Sequence, residues 1–180
     1  MDVVLLDRDG TIIVDPDDFR VDSIDKIQLF PDTIEALKYL ADHGFAAVII
    51  TNQAGIAEGR ITEADFWRIN DEVLKRIETS GLRILKTYMN GEGPGPNATP
   101  WRKPGPKMLI QAATDFNLDL SKTYMVGDKA TDVQAAINAG CKGGVLVKTA
   151  TGENVVSAAA AFVAPNLPDA AAYVVDHRDQ

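Results

Sequence analysis

The chain alternates short, wholly apolar runs with longer stretches whose apolar positions recur at helical spacing. Val3-Val4-Leu5-Leu6 is the first run, and it ends abruptly at Asp7-Arg8-Asp9-Gly10-Thr11. Two β-branched residues followed by an acidic turn with glycine predict a buried strand that stops in an exposed loop. Phe45 to Ile50 repeats the pattern and ends at Thr51-Asn52-Gln53. Leu85 to Met89, Thr123 to Val126, Val145 to Val147 and a short run at Phe162-Val163 predict the remaining strands. Between them, Pro31-Asp32 opens a helix in which Ile34, Leu37, Leu40 and Ala41 share a face and which Gly44 stops. Thr62 reads as an N-cap, followed by the stripe Phe66, Ile69, Val73, Ile77 and a stop at Gly81; that stripe reads as core packing. Pro104 and Pro106 open a helix carrying Leu109, Ala113 and Phe116, Asp132 to Ala139 forms another that ends at Gly140, and a last helix starts at Pro168.

Strands alternating with helices predict a three-layer α/β/α, Rossmann-like fold with a mainly parallel sheet. With 180 residues, no repeat and no long linker, the expectation is one domain over residues 1–180. The two loop-rich stretches are the acidic segment Asp15 to Asp25 and the Gly/Pro-rich segment Gly91 to Pro100.

Composition narrows the function classes. Apolar residues at 46% and charged residues at 24% are ordinary for a globular protein and exclude general disorder. A net charge of −8 disfavours nucleic acid and anionic membranes as partners, while a local group of Lys, Arg and a cation could still bind a phosphorylated metabolite. Asp2 follows Met1, and no run approaches the ~20 apolar residues of a membrane span. A cytoplasmic monomer is the expectation. Cys141 is the only cysteine, which rules out an intrachain disulfide, and it reads as a small buried apolar residue. His43 and His177 read as exposed helix-end and tail residues.

Polar clusters follow three of the predicted strands: Asp7/Asp9, Thr51/Asn52 and Asp128/Lys129; a fourth, Arg102-Lys103-Pro104, precedes a helix. A parallel sheet puts all its strand C-termini on one edge, so clusters far apart in sequence converge there. Of two carboxylates two residues apart, one can attack while the other manages protons, and together they can hold a divalent cation. This points to an Mg²⁺-dependent phosphatase working through an aspartyl-phosphate. A calcium loop of the EF-hand type needs a third oxygen ligand before its glycine, and Gly10 follows Asp9 directly.

These motifs resemble those of the haloacid dehalogenase-like (HAD) hydrolases: Asp7 to Thr11 matches D-x-D-G-T, Thr51 ends the second strand, Lys103 stands before a helix, and Gly127-Asp128-Lys129-Ala130-Thr131-Asp132 supplies the acidic motif. The resemblance runs from about residue 3 to residue 150. It implies Asp7 as nucleophile and Asp9 as the acid that protonates the leaving oxygen and then activates water. Mg²⁺ would be held by the Asp7 carboxylate, the Asp9 carbonyl and Asp128. Thr51 and Lys103 would bind the phosphoryl oxygens, with Asp132 bracing Lys103 or the metal site. An acid/base residue at Asp9 points to phosphate-ester hydrolysis within the superfamily.

Asp7 to Ile12, Thr51 to Ile56, Arg102-Lys103-Pro104 and Met125 to Lys129 resemble the capless branch of D-glycero-D-manno-heptose 1,7-bisphosphate phosphatases and histidinol-phosphate phosphatases. No stretch between Ile12 and Ile50, or between Asn52 and Arg102, is long enough for a separate cap fold. By position, the resemblance places Asp15 to Asp18 and Thr51 to Ala54 along the substrate pocket, so that Asp15, Asp18, Asn52 and Gln53 contact substrate. Arg102 would recognise the substrate or a second phosphate, and Lys129 the substrate or its phosphate. Two departures stand out. Many members carry a zinc held by three Cys and one His before Arg-Lys-Pro, whereas Asn90 to Trp101 contains neither residue, so no zinc is expected in this loop. Glu58 stands where the heptose enzymes usually carry Arg, with Arg60 available to compensate. The expected activity is 7-phosphatase action on heptose 1,7-bisphosphate. The alternatives are hydrolysis of histidinol phosphate or another small phosphomonoester, transfer to an acceptor other than water, and a silent binding module on the same fold.

Overall fold

The apolar runs form β1 (Asp2–Leu6), β2 (Phe45–Asn52), β3 (Arg83–Asn90), β4 (Tyr124–Gly127), β5 (Gly143–Val147) and β6 (Phe162–Ala164). The computed structural model describes residues 2–148 and 159–179. Within them the six strands make one parallel sheet in the order β3-β2-β1-β4-β5-β6. The helices are α1 (Thr33–Asp42), α2 (Ala54–Ala57), α3 (Glu63–Ile77), α4 (Lys107–Phe116), α5 (Ala130–Ala139) and α6 (Leu167–Asp176).

Successive strand residues face opposite sides of the sheet. Val4 and Leu6 pack with residues of α1, α3 and α6, whereas Val3 and Leu5 pack with Met108, Leu109 and Ala112 of α4 and Ala135 and Ala136 of α5. Both faces are covered, which is why the strands read as continuous apolar runs rather than alternating ones. The expected three-layer fold is the observed one, and no layer caps it among the described residues. None of its described helices is long and apolar enough to cross a membrane.

Local signals explain most boundaries. Thr62 Oγ1 accepts from Asp65 N at 3.1 Å and Asp65 Oδ2 accepts from Thr62 N at 3.1 Å, a reciprocal cap that starts α3. The buried face of α4 is Met108, Leu109 and Ala112, with Phe116 half-buried; Ala113 lies at the margin of the stripe assigned to it. Helix α5 begins at Ala130, before the expected Asp132, because Asp132 is its third residue and accepts from Lys129 N at 3.0 Å.

The histidines are not exposed ends. His43 and His177 are half-buried, and each Nδ1 lies 2.8 Å from the carbonyl of the tyrosine one turn back, Tyr39 and Tyr173. Their rings sit against those tyrosines at centroid separations of 4.2 and 4.0 Å. Each closes a helix C-terminus, where the last carbonyls lack intrahelical partners. Cys141 is half-buried beside the second core cluster, and burial pushes its thiol up to about 12.

Candidate active site

The central strand β1 meets β2 on one side and β4 on the other, so the ends of these three strands define the crevice where the strand order reverses. Asp7 N donates to Val126 O at 2.9 Å, which fixes the nucleophile candidate to the end of β4. The chain then turns tightly: the Arg8 carbonyl accepts from Thr11, Ile12 and Ile13 N at 3.3, 2.9 and 3.1 Å. Gly10 makes the turn with φ +80°, and a Cβ there would run into the Asp128 carboxylate. Gly10→Ala is therefore expected to strain the backbone by about 1 kcal/mol and to displace Asp128. Mg²⁺ titration of activity should show activation weakened about 10- to 100-fold, as for other changes that shift a metal ligand. Unchanged Mg²⁺ activation would detach Asp128 from the metal.

Lys103 is buried and its ammonium donates to Asp7 Oδ1 at 2.8 Å and Ile50 O at 2.7 Å, with Asp132 Oδ1 at 2.6 Å. Three acceptors use its three protons. Burial alone would lower the Lys103 pKa, but Asp132 and Asp7 outweigh it and raise it, so the lysine is a cation. Burial likewise works to raise Asp7, yet Lys103 and Lys129 more than offset it and hold Asp7 below the usual carboxylate range. Asn52 grips the Lys103 backbone in both directions: Lys103 N donates to Asn52 Oδ1 and Asn52 Nδ2 donates to Lys103 O, both at 3.0 Å.

Asp9 faces the same space. Its carboxylate accepts from Arg8 Nε at 2.9 Å and Arg8 Nη2 at 3.0 Å, and from Gln53 Nε2 at 2.5 Å. Gln53 Nε2 also donates to Thr51 Oγ1 at 2.8 Å, which ties the second strand's threonine to the second aspartate.

The donor set fits a divalent cation. Asp7, Asp128 and Asp132 bring carboxylate oxygens within 4.8 Å of one another. Both Asp132 oxygens are committed, one to Lys103 and one to Lys129 N, which makes Asp132 a brace rather than a free ligand. Asp128 Oδ1 is buried without a hydrogen-bond partner. Burial and then the Asp7 charge push Asp128 up to about 9, and a bound cation would offset both.

A cavity of about 860 Å³ opens over this cluster, lined by Asp7, Asp9, Asp15, Thr51, Asn52, Gln53, Arg102, Lys103, Asp128 and Lys129 among others. Every individually named catalytic, metal or substrate residue but one thus lines it, and of the stretch Asp15 to Asp18 only Asp15 does. Asp18 does not: it is exposed and pairs with Lys26 and Arg60, both at 2.9 Å, which ties the acidic loop down instead. Buried Asp15 pairs with Lys129 at 3.4 Å. Arg60, the arginine available to compensate for Glu58, does not line the cavity and pairs with Asp18, while Glu58 itself accepts from Arg20 Nε at 2.8 Å. Arg20, Phe19 and Lys148 also line the cavity, beyond the segments the motifs marked. A left-handed backbone at Phe19, φ 54°, is uncommon for a bulky residue and turns this part of the loop. The Gly/Pro-rich loop, which contains neither Cys nor His, is closed by Glu92, whose carboxylate accepts from Thr99 N at 2.9 Å and Thr99 Oγ1 at 2.7 Å, and whose carbonyl accepts from Arg102 Nη1 at 2.5 Å.

Comparison with known proteins agrees with this geometry. The HAD-hydrolase-like family model matches residues 100–176. The D-glycero-beta-D-manno-heptose-1,7-bisphosphate 7-phosphatase of Yersinia pestis is 38% identical over 152 residues, covering 81% of this chain and 80% of that protein. The histidine biosynthesis bifunctional protein HisB of Stenotrophomonas maltophilia (strain K279a) is 36% identical over 141 residues, 78% of this chain, and the match spans only 39% of its length. A D,D-heptose 1,7-bisphosphate phosphatase from B. bronchiseptica, solved with magnesium and phosphate, superposes with a TM-score of 0.86 at 29% identity, covering 98% of this chain and 99% of that one. Motifs, topology and a relative matched over most of its length agree: the chain belongs to the HAD hydrolases, among the phosphatases of the branch without a large cap.

Proposed function

We infer that the protein is an Mg²⁺-dependent 7-phosphatase of D-glycero-D-manno-heptose 1,7-bisphosphate, acting as a single-domain cytoplasmic monomer. The observation that carries the reading is the cavity itself: it holds the Asp7–Lys103 pair and is also lined by Arg20, Arg102 and Lys148, cations outside that pair. A substrate with a second phosphate suits such a wall, because guanidinium forks match phosphate oxygens. The similarity to the Yersinia pestis enzyme supports the same substrate.

In this reading the free oxygen of Asp7 attacks phosphorus in line. Asp9 gives its proton to the departing sugar oxygen, then takes one from the water that hydrolyses the aspartyl-phosphate. Lys103 orients Asp7, and with Thr51 it meets the phosphoryl oxygens as charge shifts onto them. Mg²⁺, when bound by Asp7, Asp128 and the Asp9 carbonyl, offsets the repulsion between carboxylate and phosphate. Asp15, Gln53, Arg102 and Lys129 line the substrate side of the cavity. Asn52 contributes by fixing the Lys103 backbone. Asp18 no longer belongs to this set.

Histidinol phosphate is the second reading, favoured by Phe19, whose half-exposed ring on the cavity wall offers a face to an aromatic substrate, and by the likeness to the HisB proteins. Phosphate release from a panel containing both heptose 1,7-bisphosphate anomers, histidinol phosphate and an aryl phosphate decides between them. The expected result is a preference of at least about 100-fold in kcat/KM for one heptose bisphosphate anomer, the size that a bidentate phosphate contact gives. EDTA should abolish release and Mg²⁺ restore it. A preference for histidinol phosphate would move the substrate and keep the mechanism. No release from any ester would leave only a binding module.

A further inference from the structure

Arg8 is the largest fully buried side chain among the described residues, and nothing in the chemistry above uses it. Its guanidinium carbon lies 4.8 Å from the centroid of the Phe66 ring. Its Nε and Nη2 donate to the two oxygens of Asp9 at 2.9 and 3.0 Å, while its Nη1 is buried without a hydrogen-bond partner. A cation held this way carries a large desolvation cost, and an apolar side chain of similar volume would fill the space beside Phe66 without it. Packing therefore does not account for an arginine here. What the guanidinium adds is geometry: two parallel bonds fix the plane and direction of a carboxyl group as well as its position. Gln53 touches only one Asp9 oxygen and cannot set that plane.

We propose that Arg8 is a positioning residue for proton transfer, holding the Asp9 carboxyl group in the plane from which it serves the leaving oxygen. The proposal rests on the reading of Asp9 as the proton donor. In that step the bond from Asp7 oxygen to phosphorus forms and the ester P–O bond breaks. Its electron pair stays on the leaving oxygen, and the Asp9 proton moves there. Asp9 is left an anion in front of a cation already aligned with it, so no reorganisation is needed at that moment. Arg8 does not line the cavity, so it acts through Asp9 and not on the substrate.

The test compares kcat/KM for a primary alkyl phosphate with that for 2,4-dinitrophenyl phosphate, with Mg²⁺ present. The dinitrophenolate departs without a proton, and kcat/KM reports only the steps through formation of the aspartyl-phosphate. Asp9→Asn is expected to lose about 10²- to 10⁴-fold on the alkyl ester and less than about 3-fold on the dinitrophenyl ester. Arg8→Met should show the same selectivity with a loss of about 10- to 100-fold on the alkyl ester, and a lowered melting temperature, since Asp9 loses its ion-pair partner; the confinement of the loss to the alkyl ester is what a merely structural role would not give. Arg8→Lys keeps the charge without the fork and should share the loss. In an Asp9→Asn background, Arg8→Met should add nothing.

Equal losses on both esters in Arg8→Met, or none on either, would overturn the role of Arg8 while a selective Asp9→Asn keeps the reading of Asp9. If Asp9→Asn is itself unselective, both fall together. Should Arg8→Met fail to fold, Phe66→Leu carries the test, because it removes the ring under the guanidinium and leaves Arg8 in place. It should show a smaller loss, again confined to the alkyl ester; equal losses or none would overturn the proposal.

Discussion

Asp7→Asn is expected to lose at least about 10⁴-fold in kcat, the scale seen when a nucleophile is removed from a catalytic group that acts as a unit. An amide is isosteric with the carboxylate and keeps an oxygen for Lys103, which now sits 2.8 Å from Asp7 Oδ1. Lys103 also keeps Asp132 and the Ile50 carbonyl, so it does not become an unpaired buried cation. Stability should therefore change by no more than about 1 kcal/mol. Activity assays on the preferred substrate and a thermal melt of the same preparation check the two halves of this result. A folded Asp7→Asn protein with near-native turnover would remove Asp7 from the chemistry.

Lys103→Met should damage the protein in both respects. Among the described residues, the ammonium is the only side-chain cation within ion-pair distance of both Asp7 and Asp132. Removing it strands two buried carboxylates, and breaking a buried pair in this way costs about 3–5 kcal/mol. Loss of the charge that orients Asp7 and meets the phosphoryl oxygens should lower kcat by about 10²- to 10³-fold in whatever fraction remains folded. Chemical denaturation measures the first effect and single-turnover kinetics the second. Adding Asp132→Asn to Lys103→Met removes one stranded charge, so the double variant should be more stable than Lys103→Met alone. If it is less stable still, the ion pair is not what holds this part of the fold.

Strand positions and the four polar clusters were legible because each depends on a local pattern. An apolar run that stops at Asp7, or at Thr51, says where a parallel strand ends, and topology then brings those ends together. What escaped sequence reading depends on partners far away in the chain. Arg8 stands between two aspartates and nothing in its neighbourhood along the chain marks it as buried; it is buried because Phe66, from the distant helix α3, covers it. Asn52 reads as a group free for substrate, but the loop at Lys103 folds back and takes both of its amide functions. Asp18 and Arg20 are close neighbours in one acidic loop, yet only the arginine reaches the cavity, because Lys26 and Arg60 hold the aspartate on the outside. The histidines read as exposed because composition and motif say nothing of the tyrosine one turn earlier that gives each a ring to lie against.

The central place of β1 in the sheet bears on how the chain is synthesised. The strand that carries the nucleophile is made first, yet its neighbour on one side, β4, is made only after β3 at the far edge. Until residues 124–127 emerge, a ribosome-bound chain holds β1 with one hydrogen-bonding edge bare, the arrangement that recruits foreign strands. The carboxylates at its end meanwhile lack Asp128 and Asp132. Catalytic competence thus waits for the strand that covers the second edge of β1, and a nascent fragment ending at β3, which lacks Lys103, Asp128 and Asp132, is both inactive and prone to mispairing.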